Sequence, residues 1–243
     1  MIIPARSAQA KEANSLVKGL QLYFVSKLNS LALTFGEGRA CEAVTWERDG
    51  GRHGGGIRYE ARDNTIYDRG SVNVSQVHYD DDEKKKLSSA TAISTIIHPR
   101  NPHAPSMHMH ISWTQMRDGK GYWRVMADLN PSIIGESEMD KKSFAQMLEQ
   151  VTGALYEEGA AQGDRYFYIP ALGRHRGVSH FYLEGYNSGD FEADKAFVKR
   201  VGERVIDQYI SIISAKLTDY TTFTIEEREE QLAYHTLYLF QVL

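Results

Sequence analysis

Residues 96–113 read IIHPRNPHAPSMHMHISW and gather His98, His103, His108 and His110 around Arg100, between two short apolar runs. Imidazoles titrate near neutrality, so such a cluster suits proton transfer. It also suits metal ligation, as two histidines with a carboxylate around iron or as three histidines around copper or zinc. Side chains alternate along a strand, so in MHMHISW the residues His108, His110 and Ser112 share one face while Met107, Met109, Ile111 and Trp113 share the other. A polar face of this kind is either solvated or the wall of a site. Pro99, Pro102 and Pro105 stiffen the loop ahead of the strand and are expected to hold Arg100, Asn101 and His103 in fixed directions. Stiff loops that carry polar groups favour the site.

The elements that must position these groups are readable from hydrophobic periodicity. Leu16, Leu20, Phe24, Leu28 and Leu31 recur every three or four residues, which predicts an amphipathic helix from about Lys11 to Leu33. The following hundred residues change period. VTWERD, GIRYEAR, TIYDR, SVNVSQVHY, ATAISTII, MHMHISW and YWRVMADL are short, β-branched or aromatic, and divided by Gly, Asp or Pro turns, so they read as mostly antiparallel strands. A helix is expected from Lys141 to about Gln162, then strands at RYFYIPA and VSHFYLEGY, then a long helix through Phe197, Val205 and Leu217. Thr224 and Glu227 fit a capping box at the start of a last helix. The fold class expected is α+β, a central antiparallel sheet flanked by helices in one domain over 1–243.

Composition narrows the function classes. A formal net charge of -4 gives no general attraction for nucleic acid, so no nucleic-acid partner is expected. No apolar run approaches the roughly 20 residues of a membrane span, and no signal peptide is visible. The single cysteine, Cys41, forms no internal disulfide and reads as a partly buried structural thiol. A cytoplasmic location is expected. DGGRHGGG lacks the ending of a phosphate loop and reads as a flexible loop near the site, with Arg52 or His53 able to reach a carboxylate. DDDEKKK reads as a solvated hairpin end, and the aromatics of YFYIP as core.

IIHPRNPHAPSMHM resembles the signature of the oxygen-dependent coproporphyrinogen III oxidases, and WERDGGRHGGG, YDRGSVNVSQVH, ADLNP and YFYIPALGRHRGVSHFYLEGY follow in the family's order. The resemblance runs from about Ala40 to Tyr186. It implies an antiparallel sheet flanked by helices, usually in a homodimer. The implied chemistry is oxidative decarboxylation, in which two propionates of a porphyrinogen become vinyl groups with dioxygen as co-substrate and no obligatory cofactor. By the same resemblance His108 is the proton donor, Asp128 grips the pyrrole nitrogens and Arg176 binds a carboxylate. Ser94 contacts substrate and His98 opens the signature; Arg100, His110 and Ser112 join the substrate-binding set. Arginine forks suit carboxylates and an acceptor carboxylate suits pyrrole N–H groups.

The pattern also departs from the family. Ser112 stands where an arginine is expected, Arg124 to Ala127 replace a glycine triplet, and the C-terminal Gly-Gly-Arg segment is missing. The chain is therefore either a shortened member that recruits Arg48, Arg52, Arg100 or Arg124 for carboxylates, or a paralogue acting on a smaller acid. A second class of function is an iron or copper oxidase with His98, His108 and His110 as ligands. A third is a non-catalytic protein that binds a tetrapyrrole or an acid.

Overall fold

In the computed structural model, which describes residues 1–133, 135 and 138–242 with side chains through residue 236, the long first pattern is helix α1, Ala8–Phe35. The Ser7 hydroxyl caps it by accepting from the Ala10 N–H. Six strands follow as a meander: β1 Glu42–Glu47, β2 Gly54–Glu60, β3 Tyr67–His78, β4 Leu87–Pro99, β5 Ser106–Met116 and β6 Gly121–Asn130. TIYDR and SVNVSQVHY, read as two strands, join into β3. The expected helix at 141–162 is two helices, α2 Glu138–Thr152 and α3 Tyr156–Phe167, separated by a short turn in which Gly153 takes a positive φ. The strand expected at RYFYIPA is a correction: Arg165 to Phe167 close α3, and only Tyr168–Ile169 (β7) is extended, paired with Arg174–His175 (β8). The aromatic residues there satisfied the strand propensity, but the helix packs them better. Then come β9 Ser179–Tyr186, α4 Phe191–Asp219 and α5 Ile225–Val242. The expected domain boundary at residue 243 lies outside the described residues.

The order in the seven-stranded sheet is β1-β2-β3-β4-β5-β6-β9, antiparallel throughout. Its inner face is apolar because alternate residues are: Val72, Val74, Ile93, Ile97, Met107, Met109, Ile111, Val125 and Phe181 all pack inward. Leu20, Phe24 and Leu28 of α1, Phe144 and Leu148 of α2, and Val201, Val205 and Tyr209 of α4 cover that face. Gly202 lets α4 approach closely, since a Cβ there would meet Leu20 and Ile111 at 2.7 and 3.0 Å. The outer face carries the alternate polar positions. Helix α3 lies along the edge strand β9, where Gly159 sits against the Phe181 ring and Gly163 against His180. Helix α5 lies against the ends of β4 and β6, with Gln231 donating to the Pro99 carbonyl and Tyr234 donating to Asn130. The capping box forms as expected: Glu227 N donates to Thr224 Oγ1 at 3.2 Å and Thr224 N to Glu227 Oε2 at 2.7 Å. No helix among the described residues is long and apolar enough to cross a membrane.

Candidate active site

Sheet register assembles the site on the outer face. Ile96, His108, Asp128 and His180 lie opposite one another across β4, β5, β6 and β9, and Ser94, His110, Met126 and Tyr182 form the next row. Asp128 has no exposed surface, while His108 and Arg176 are 4% and 7% exposed, so charge in this cluster is screened by protein partners and not by water. Arg176, on the turn into β9, donates from Nε and Nη2 to Asp128 Oδ2 at 3.0 and 2.5 Å. His108 Nδ1 lies 3.4 Å from the same oxygen, and His180 Nδ1 lies 3.3 Å from Oδ1. Burial opposes ionisation of Asp128, but the Arg176 guanidinium, and after it the nearby His108 and His180 imidazoles, outweigh it and hold the carboxyl well below the usual range.

The imidazoles are shifted the other way. Burial, then the neighbouring charges of His108, His235, Arg69 and Arg176, depress His98 to about 2. Burial also lowers His108, against the pull of Asp128. His110 falls to about 4, mainly through burial and then through Arg124. All three are therefore neutral at physiological pH. His98 Nε2 and His108 Nε2 are 3.0 Å apart, which requires one proton between them. His235 of α5 stacks on His98 with ring centroids 4.5 Å apart.

A cavity of about 570 Å³ opens over this cluster, lined by Ser94, Ile96, His108, His110, Arg124, Met126, Tyr166, Arg176 and Tyr182 among others. That volume is within the ordinary range of small-molecule sites, about 300–1,000 Å³. Asp128 is not on its wall; Arg176 and His108 stand between the carboxylate and the cavity. The replacements at Arg124 and Met126 do put side chains into the space, as their alternation on β6 requires, while Val125 and Ala127 point to the core. A larger cavity of about 760 Å³ lies elsewhere, between α1 and α4, away from the histidines.

The structure thus brings His108, Asp128 and Arg176 together, with Ser94, His98 and His110 beside them. It does not bring in Arg100 or Ser112. Arg100 is exposed and lies 3.9 Å from Asp68, and Ser112 is buried one row beyond the cavity, opposite Arg124. The proline loop braces the scaffold instead. Asn101 donates to the Tyr220 carbonyl at 2.6 Å, and His103 stacks on the Tyr220 ring and reaches Glu227. Only His98 of that segment faces the site, because the prolines turn the chain toward the α4–α5 connection. The glycine-rich loop is also remote, with Arg52 and His53 held by Asp81 and Asp49. Arg124 does line the cavity but forms a bidentate pair with Glu184 at 2.6 and 2.9 Å. Cys41 is half-buried with its thiol pushed up to about 11 by burial, as suits a structural residue.

Among the described residues no three or more of His, Cys, Asp and Glu are grouped so as to hold a metal ion. His98 and His108 spend their facing nitrogens on each other, and His110 Nδ1 on the Ser94 hydroxyl at 2.8 Å. Sequence reasoning missed His180, Asn130, Tyr234 and His235, which are ordinary residues until the fold joins them. The reading of YFYIP as core holds for Phe167 and Ile169 but not for Tyr166. It is exposed and stacks on Tyr182 at 4.4 Å, forming an aromatic wall of the cavity.

The profile of the family described as coproporphyrinogen III oxidase matches residues 12–240. The chain belongs to the coproporphyrinogen III oxidase family. Curated relatives agree. The oxygen-dependent coproporphyrinogen-III oxidase of Rickettsia akari (strain Hartford) is 28% identical over 201 residues, covering 78% of this chain and 70% of that protein. The mitochondrial protein of the same name from Rattus norvegicus is 28% identical over 200 residues, covering 73% of this chain but 45% of the rat protein. Both relatives are named as oxygen-dependent, and the resemblance read from the HPRNPH segment is to the coproporphyrinogen III oxidase family that the profile finds.

Proposed function

We propose that the protein is an oxygen-dependent oxidative decarboxylase that converts propionates of coproporphyrinogen III to vinyl groups, in haem biosynthesis. Each turnover removes carbon dioxide and two hydrogens from one propionate and reduces one dioxygen to hydrogen peroxide, so atoms and electrons balance without an organic cofactor. The observation that carries the reading is the convergence of His108 and Arg176 at the floor of one cavity, with Asp128 buried directly behind them, in a chain of this family. Arg176 is the anchor for a propionate carboxylate, since its planar fork suits bidentate binding. That fork is held by Asp128. Substrate binding exchanges one carboxylate for the other and turns Asp128 toward the pyrrole N–H groups as their acceptor. His108 handles the proton, and Ser94, His98 and His110 line the approach. A homodimer and a cytoplasmic location belong to the same proposal.

A second reading, a smaller acid as substrate, is favoured by one observation: Arg124 is already paired with Glu184, so the cavity wall offers few cations for a four-carboxylate macrocycle. Incubation of the purified protein with coproporphyrinogen in air, with and without chelator, separates the two. Protoporphyrinogen formed in both arms is the expected result. No product from coproporphyrinogen, with turnover of a pyrrole or indole carboxylate, establishes the second reading; loss of product on chelation restores the metal alternative.

A further inference from the structure

The hydrogen bonds that run from Tyr234 on α5 through Asn130 to His108 have their polarity set from both ends. The Gly177 backbone N–H can only donate, and it donates to Tyr234 Oη at 3.1 Å. The hydroxyl proton therefore goes to its other partner, Asn130 Oδ1, at 2.6 Å. That places the amide nitrogen of Asn130 on the far side, 3.2 Å from the backbone oxygen of Asp128, which can only accept. The same nitrogen is 3.2 Å from His108 Nδ1. An amide orientation is ambiguous when taken alone; here groups of single polarity set it from both ends. An N–H aimed at Nδ1 requires a lone pair there. A rival for Nδ1 among the described residues is the Asp128 carboxylate at 3.4 Å, at the outer limit for a hydrogen bond, and its Oδ2 already accepts two N–H groups from Arg176.

We propose that Tyr234, acting through Asn130, is a positioning residue that holds neutral His108 as the Nε2–H tautomer, with its proton toward His98. His98 Nε2, 3.0 Å away, then accepts, which fixes His98 as the Nδ1–H tautomer. The consequence for chemistry is specific. Neutral His108 directs its one N–H at His98 and keeps its lone pair on Nδ1, so Nε2 cannot act as a base until it exchanges tautomer against the Asn130 amide. That consequence rests on the proposed function; the tautomer itself does not.

The test is nitrogen-15 NMR of the full chain labelled at histidine, without substrate, with the His108 signals assigned by their loss in His108→Gln. The expected wild-type result at pH 7.5 is a pyrrole-type Nε2 and a pyridine-type Nδ1. Asn130→Asp replaces the donor with an acceptor and should move the proton to Nδ1. Tyr234→Phe, nearly isosteric, should shift the His108 signals part of the way and lower kcat about tenfold with KM unchanged. A proton on Nδ1 in the wild type overturns the proposal, and so does an unaltered His108 signature in Tyr234→Phe, which also serves if Asn130→Asp does not fold. Because the spectrum is read without substrate, failure to turn over coproporphyrinogen would leave this result standing, and the converse holds.

Discussion

Asp128 is a charge kept where no water reaches it, and its stability depends on Arg176. Removing one partner of a buried pair leaves the other charge uncompensated and costs about 3–5 kcal/mol, more than the pair itself contributes. Arg176→Ala should therefore destabilise by about that amount in urea titration, and Asp128→Asn placed in the same background should recover most of it. Recovery distinguishes a stranded charge from lost packing. The neutral histidines set a second residue-scale expectation. Their folded pKa values are depressed, from 6.5 to about 4 for His110, so the unfolded chain takes up protons first as pH falls. Stability is intact above about pH 6.5 and declines toward the folded value, by up to about 1.4 kcal/mol per pH unit for each such group. Asp128 has linkage of the same sign in a more acidic window: its folded pKa is also depressed, so its contribution is intact above the carboxylate range and is lost as pH falls through it. Urea midpoints measured from pH 7.5 to 5 should fall, and His110→Gln should flatten that slope.

Two elements decide whether the cavity keeps its shape. Helix α3 supplies Tyr166 to the aromatic wall, and it can do so because Gly159 admits the Phe181 ring; a Cβ there would come within 2.1 Å of a ring carbon. Alanine gains roughly 1 kcal/mol in helix propensity over glycine, whereas overpacking costs about 1–3 kcal/mol, so the clash should prevail. Gly159→Ala is expected to lower the melting temperature and to separate Tyr166 from Tyr182, read as a change in tyrosine fluorescence. Helix α5 depends on its first turn. Thr224→Ala should cost about 1 kcal/mol and raise amide hydrogen exchange in α5 more than in β4 or β5. The elements that sequence made legible are those with a strong period. The alternation in MHMHISW placed His108 and His110 on one face, and the three-to-four spacing from Leu16 to Leu31 placed α1. What escaped was settled by tertiary contact. RYFYIPA has strand-forming residues, yet Phe167 is buried as the end of a helix. His180 and Tyr234 carry no local mark, because their importance comes from Asp128 and Asn130, about fifty and a hundred residues earlier.

For the molecule as a whole, the two faces of the sheet divide the labour. The inner face, buried under α1, α2 and α4, carries the stability; the outer face carries polar residues whose neighbours are set by register alone. A one-residue slip of β5 against β4 would exchange His108 and His110 for methionines and ruin both faces at once. The meander avoids that by pairing each strand with the one just before it. The same wiring gives the site a calendar. Strands β1 to β6 can zip together in the order in which a ribosome delivers them, but the cage around Asp128 is completed by residues 176, 180 and 234, which arrive later. In a nascent chain the acid therefore stands bare until residues 176, 180 and 234 have been made, and the capture of that one carboxylate waits for the helices that follow.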